Sequence, residues 1–256
     1  MLQDHGIHLR AVHKTYRGRG SEVEALKDMN LDCAPGSFTA LIGPSGCGKS
    51  TAMRVALGLE DYDSGEVRIA GKPPAEATAG GVTGVAFQDA ALLPWRSVER
   101  NVSLPLEVLK RDPEKYRHEI EKLIQLVGLR GYEKALPGQL SGGMRQRVSI
   151  ARSLITEPEV LFMDEPFGAL DQIRRRKMNV ELQRIWMETE STALLVTHGI
   201  DEAVFLADNV VVMHSNPGRV VEAAEIPFAR PRKMELYSDP DFHALCEKIA
   251  RVLHGE

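Results

Sequence analysis

A five-residue apolar run, Phe38–Ile42 (FTALI), leads straight into Gly43–Thr51 (GPSGCGKST), after which Lys49–Leu59 takes helical spacing that Gly58 helps to end. The run is too short for a helix and is bounded by Gly36 and Gly43, so it predicts a buried parallel strand. Strand, Gly43-x4-Gly48-Lys49-Ser50 and helix, in that order, form the context of a phosphate-binding P-loop. Its glycines let backbone N–H groups turn toward phosphates, and the helix N-terminus adds positive potential. Lys49 reaches the β- and γ-phosphates, and the Ser50 hydroxyl is a ligand for Mg²⁺. The nucleotide cradle is therefore expected from Gly43, Pro44, Ser45, Gly46, Cys47, Gly48, Lys49, Ser50 and Thr51.

Two further elements narrow the chemistry. Val160–Met163 is a second short apolar strand, and it delivers two carboxylates, Asp164 and Glu165, at its C-terminal end. In a doubly wound sheet ligands bind at that edge. Asp164 suits holding Mg²⁺, and Glu165 suits orienting or deprotonating an attacking water. Upstream, Leu140–Arg147 (LSGGMRQR) opens a helix with Ser141 as its natural N-cap. Gly142 and Gly143 are poor first-turn residues, each costing about 1 kcal/mol relative to alanine. Capping alone does not need them; close backbone approach to a phosphate does.

The rest of the chain reads as one α/β domain of ordinary soluble composition, 43% hydrophobic and 27% charged over 256 residues. Ile7–Val12 and Glu22–Leu31 form an expected hairpin across the polar turn Arg17–Gly20. Strands are expected at Val67–Ile69 and Val82–Phe87, separated by a Pro/Gly-rich stretch, Gly71–Gly81. Glu114–Val127 has helical spacing, and residues 90–155 read as a helical insertion. Val160–Met163 and Ala193–Thr197 resume the sheet around a long helix, Ile173–Thr189, and that alternation implies parallel pairing. Val210–Met213 and Val220–Ile226 follow as strands. After a Pro/Arg-rich tail, an amphipathic helix over Asp239–Leu253 is expected to pack on its own domain. Arg174–Lys177 is expected to be a solvated helix face.

Several classes are disfavoured. No run of eighteen apolar residues occurs, so no span of a bilayer is expected. The first ten residues carry acid and no apolar core, unlike a secretory signal. A net charge of -4 argues against nucleic-acid binding. Cys33, Cys47 and Cys246 are too few and too scattered for a disulfide framework or zinc site, which points to the reducing cytosol. Cys47 lies inside the P-loop, where a thiol reagent is expected to obstruct nucleotide by bulk.

The P-loop, Gln88 after a strand, LSGGMRQR, Met163–Pro166 (MDEP), Gly168–Asp171 (GALD) and His198 after a strand together resemble the ATP-binding subunit of an ABC transporter. All occur in that family's order, and they cover roughly residues 7–215. The resemblance implies a P-loop NTPase core with a mixed, mainly parallel sheet, an N-terminal antiparallel β part and a helical insertion. Residues 1–235 would be the ATPase domain and 236–256 a helical tail. It implies that Tyr16 stacks on adenine, and that Gln88 contacts Mg²⁺ or water and couples the site to a membrane partner. It also implies that Ser141, Gly142 and Gly143 contact ATP held by another subunit, that Asp171 sits at the dimer seam, and that His198 touches the γ-phosphate. Met144 departs from the glutamine common in the family, just outside the glycines.

By the same resemblance two copies pack head to tail around two ATP, and the dimer drives separate transmembrane permease subunits from the cytoplasmic face of the inner membrane. A solute-binding protein would complete the system. Leu92–Trp95 (LLPW), Asn101–Leu106 (NVSLPL) and Ile226–Arg232 (IPFARPR) resemble the branch importing nitrate, taurine and aliphatic sulfonates. An ABC-type ATPase acting on ribosomes or DNA is the rival reading; such proteins generally carry tandem domains or coiled-coil insertions, and this chain has neither. A module that binds ATP without turnover is a second rival, against which Glu165 and His198 argue.

Overall fold

The structure is a computed structural model that describes residues 5–18, 21–168, 170–189 and 191–255. An N-terminal hairpin joins β1 (Ile7–Gly18) to β2 (Ser21–Cys33), antiparallel, and both strands run further than their apolar patterns foretold. Arg19 and Gly20 of the expected turn lie outside the described residues. Next come β3 (Phe38–Ile42), α1 (Lys49–Ala56), β4 (Ser64–Ile69), α2 (Pro74–Ala79) and β5 (Thr83–Ala86). The helical insertion holds α3 (Val98–Val102), α4 (Leu104–Val108), α5 (Arg117–Leu126) and α6 (Gly142–Leu154). The sheet resumes with β6 (Val160–Asp164), α7 (Gln172–Met187), β7 (Thr192–Thr197), α8 (Ile200–Leu206), β8 (Asn209–His214) and β9 (Arg219–Glu225), and α9 (Pro240–His254) closes the chain.

Two sheets result. One is antiparallel, in the order β2-β1-β4; the other runs β5-β6-β7-β3-β8-β9 and is parallel except for β9. The central strands are buried along their whole length: every residue of β3 and of β7 is inaccessible to solvent. That burial on both faces explains why these strands read as continuous apolar runs rather than alternations. Two apolar clusters flank the main sheet. One is built with α3, α5, α6, α7, α8 and α9, the other with α1 and the antiparallel sheet.

Three expectations change. The Pro/Gly-rich stretch contains a helix, α2, because Pro74 fits a first helical position and Ala-Glu-Ala supports the turn. Helix α8 is short and went unread. Arg174–Lys177 is not uniformly solvated: Arg175 donates to the Gly168 and Leu170 carbonyls, and Arg176 lies 4.5 Å from the Tyr237 ring.

The C-terminal segment is anchored through a buried cation. Arg232 donates from Nη1 to the carbonyls of Val204, Phe205 and Ala207 at 3.1, 2.9 and 2.7 Å, and from Nε to Phe228. The three Nη1 acceptors belong to the end of α8, where a cation is favoured. Burial, together with the nearby Arg230 charge, pushes the Arg232 guanidinium down to about 10. Beyond this clamp α9 packs its Phe242 and Ile249 into the same cluster as α8. Arg232→Ala is expected to cost about 3 kcal/mol in a urea unfolding curve, because several buried carbonyls lose their donor at once.

Candidate functional site

The site begins where β3 ends. Gly48, at the N-cap of α1, has φ +97°, and a Cβ there would lie 2.7 Å from the Ala25 carbonyl oxygen. Only glycine fits such a backbone pressed against β2. Pro44, Ser45 and Gly46 are exposed at the loop's tip, whereas Cys47 is only 1% exposed. The thiol is therefore sheltered beneath the loop, and the expected obstruction by a thiol reagent is corrected: the reagent has no direct path to it. Lys49 folds back into the loop and donates to the Gly43 and Pro44 carbonyls at 2.7 and 3.0 Å.

Asp164 and Glu165 stand at the end of β6. Burial, followed by the Glu165 charge, pushes the Asp164 carboxyl up, while Arg54, Lys49 and a bond from the Ser50 hydroxyl pull it back. Glu165 has φ +44°, a conformation few side chains adopt, and its N–H is fixed to the Val196 carbonyl at 2.8 Å. Strain of this kind is held where the surroundings over-determine the backbone, commonly at functional positions. One strand over, His198 follows β7, and its Nδ1 lies 3.1 Å from Glu165 Oε2. Its side chain is 53% exposed, which sets aside a buried, satisfied structural histidine. Gln88 follows β5, and a Cβ placed on Gly168 would meet both Gln88 Nε2 and Glu165 Oε2 at 3.4 Å. The structure thus brings Lys49, Ser50, Asp164, Glu165, Gln88 and His198 to one edge of one sheet.

The remaining residues lie elsewhere. Ser141 caps α6 by accepting from the Met144 N–H at 3.3 Å. Among the described residues nothing crowds the glycines after it: a Cβ on Gly142 or Gly143 would find its nearest atom at 3.8 or 3.9 Å. Among the described residues, no hydrogen bond or ion pair joins Ser141, Gly142 or Gly143 to the P-loop. Tyr16 is exposed on β1, with its hydroxyl bonded to Glu60 and Lys14 Nζ 4.9 Å from its ring centroid. Asp171 caps α7, accepting from the Arg174 N–H at 3.0 Å.

Sequence reasoning missed the side chains that tie these pieces together. From α6, Gln146 donates to the Phe87 carbonyl at 3.0 Å, and Arg152 donates to the Ala90 and Ala91 carbonyls. The loop carrying Gln88 is therefore fastened to the helix that Ser141 caps. Arg152 occupies an ordinary helical position, and Gln146, although inside LSGGMRQR, carries no sign of its partner in the spacing.

A family model described as ABC transporter matches residues 26–168. The aliphatic sulfonates import ATP-binding protein SsuB of Bacillus subtilis is 42% identical over 237 residues, covering 92% of this chain and 89% of its own. The nitrate import ATP-binding protein NrtD of Synechococcus elongatus is 42% identical over 243 residues, 93% of this chain and 88% of its own. The taurine import ATP-binding protein TauB of Escherichia coli is 42% identical over 234 residues, 88% and 89% respectively. Among solved structures, the dimeric post-hydrolysis state of the ATP-binding cassette MJ0796 with ADP and Pi superposes with a TM-score of 0.75 at 30% identity. It covers 87% of this chain and all of that one.

Lys49→Ala is expected to weaken ATP binding about 10- to 100-fold, the loss of charge-assisted bonds to phosphate, as read by a fluorescent ATP analogue.

Proposed function

The chain belongs to the ABC transporter family and is an ATPase subunit, and we propose that it powers uptake of a small solute of the nitrate, sulfonate or taurine type through separate permease subunits. The observation that carries this reading is the division of the site. Hydrolytic residues gather at one sheet edge, while the Ser141–Gly143 turn lies bare on α6 with space around its glycines that its own chain leaves open. A second copy, packed head to tail, supplies that turn to the P-loop of the first. ATP binding then favours the closed pair by its differential affinity for that state.

Each residue takes one role. The N–H groups of the Gly43–Gly48 loop other than Pro44, which has none, and the Lys49 ammonium hold the phosphates, with the Ser45 and Thr51 side chains completing the cradle. Tyr16 stacks on adenine. Glu165 orients the attacking water and takes its proton. His198, whose Nδ1 lies 3.1 Å from Glu165 Oε2, meets the γ-phosphate beside it. Ser141, Gly142 and Gly143 meet the γ-phosphate of the ATP held by the second copy, and Asp171 meets the seam.

Mg²⁺ fits the residues present. Asp164 is a carboxylate disfavoured by burial and by Glu165, and it sits beside the Ser50 hydroxyl, so a hard cation with oxygen ligands relieves both. Ser50, Asp164 and Gln88 would hold the ion, which supplies charge neutralisation at the phosphates when bound.

The permease docks near Gln88 and the helical insertion, where Phe87, Trp95 and Val108 expose large apolar surface and Trp95 is 73% exposed. A solute-binding protein delivers cargo to that permease, and this subunit sits peripherally at the cytoplasmic face of the inner membrane. No helix among the described residues is long and apolar enough to cross a membrane. Residues 1–235 form the ATPase domain, with approximately 90–155 as its helical part, and 236–256 form the tail.

Glu165→Gln is expected to keep ATP binding, lower kcat at least about 100-fold, and give an ATP-dependent dimer in size-exclusion with light scattering. A variant turning over at the parental rate would remove Glu165 from the base role. Ser141→Arg is expected to abolish turnover with the affinity of its own P-loop unchanged; full activity in that variant would contradict the shared site.

A further inference from the structure

We propose that Thr197 and Glu202 are positioning residues that fix the turn presenting His198 to Glu165. The inference rests on the roles given above to His198 and Glu165. Thr197 is the last residue of β7 and is buried. Its hydroxyl donates to Glu202 Oε2 and accepts from the Gly199 N–H at 3.0 Å. Donor and acceptor are thus both engaged, and the two backbone positions flanking His198 are pinned through one oxygen. The His198 side chain itself is half exposed, with Glu165 as its neighbour at 3.1 Å. A ring so lightly held owes its direction to its backbone.

Glu202 is only 3% exposed, on the first turn of α8. An acid so deeply placed is costly unless it is bonded. Burial pushes its carboxyl up, with the Thr197 bond, Arg175 and His198 pulling it back and Asp201 adding to the rise. Arg175, the largest charge acting on it, also donates to the Gly168 and Leu170 carbonyls at 3.4 and 3.0 Å. Glu202 thus holds the strand end that carries His198 through Thr197, while the charge of Arg175, which pins the loop following Glu165, acts on it without a direct bond. Among the described residues no hydrogen bond joins this network to the P-loop, which holds most of the nucleotide, so its loss should fall on kcat far more than on affinity.

The test is steady-state ATPase kinetics alongside binding of a fluorescent ATP analogue for Thr197→Val, Thr197→Ser, Glu202→Gln, Glu202→Ala and His198→Ala. Thr197→Val is expected to lower kcat about tenfold with the analogue's Kd within about twofold of the parent. Thr197→Ser keeps the hydroxyl and is expected to restore kcat to within about threefold. Glu202→Gln keeps an acceptor for that hydroxyl and should behave likewise, whereas Glu202→Ala removes it and is expected to lower kcat about tenfold with Kd kept; a parental kcat in Glu202→Ala overturns the proposal even if Thr197→Val fails to fold. Parental kcat in Thr197→Val, a serine variant as slow as the valine one, or equal losses in kcat and affinity would each overturn the proposal. If His198→Ala hydrolyses at the parental rate while Thr197→Val is slow, this proposal and the His198 role both fall, and the ATPase assignment stands. If His198→Ala is slow and Thr197→Val fast, only the positioning proposal falls.

Discussion

Parallel strands all end at the same edge of their sheet, and the catalytic half of this protein depends on that constraint. Three neighbours, in the order β6-β7-β3, are registered so that Asp164 lies beside Val196 and Ile42 beside Thr197. The P-loop, the Asp164–Glu165 pair and His198 therefore emerge level with one another from strands far apart in the chain. Register is enforced by burial, because every residue of β3 and β7 is packed on both faces. The 3.1 Å approach of His198 to Glu165 is a consequence of that register, refined by the bond between the Glu165 N–H and the Val196 carbonyl.

The same economy leaves the site half built. Helix α6 rises from the insertion rather than from a strand end; its Gly142 lines one cavity with Gln88, Pro166 and Leu170, and among the described residues no hydrogen bond joins Ser141 or its glycines to the P-loop. What α6 does reach is the loop after β5, through Gln146 and Arg152. Gln88 and Glu165 both border Gly168, and the loop carrying Gln88 is bound to the helix that, in the proposed dimer, meets another copy's nucleotide. A device in which docking at that loop, ATP binding and pairing influence one another needs such a mechanical connection, and here it consists of a few hydrogen bonds to backbone carbonyls.

Much of this was legible before any coordinates. Phe38–Ile42 fell on β3 residue for residue, and β6 and β7 were read within one residue, because buried parallel strands bounded by glycine or acid leave a compact apolar signature. The P-loop was equally plain, since its glycines answer local demands such as the +97° φ of Gly48. Features that depend on distant partners were hidden. Arg175 looked solvated within a basic run, yet it turns inward to two carbonyls; Cys47 looked reachable, yet the loop covers it. Helices α2 and α8 span six and seven residues, too short for a periodic pattern to declare itself. Thr197, Glu202, Gln146 and Arg152 act through pairings that a linear chain does not display.

The central claim is that each working site joins the P-loop of one copy to the Ser141–Gly143 turn of another, and complementation tests it most directly. In the Glu165→Gln background, Lys49→Ala and Ser141→Arg chains would be prepared separately, then mixed with ATP and Mg²⁺ and weighed by light scattering. Neither chain alone should pair, since each lacks one half of both sites. The mixture restores one intact site, and the account predicts a heterodimer carrying one ATP per pair. A mixture that stays as monomeric as its components, while the Glu165→Gln parent dimerises, would contradict the shared site.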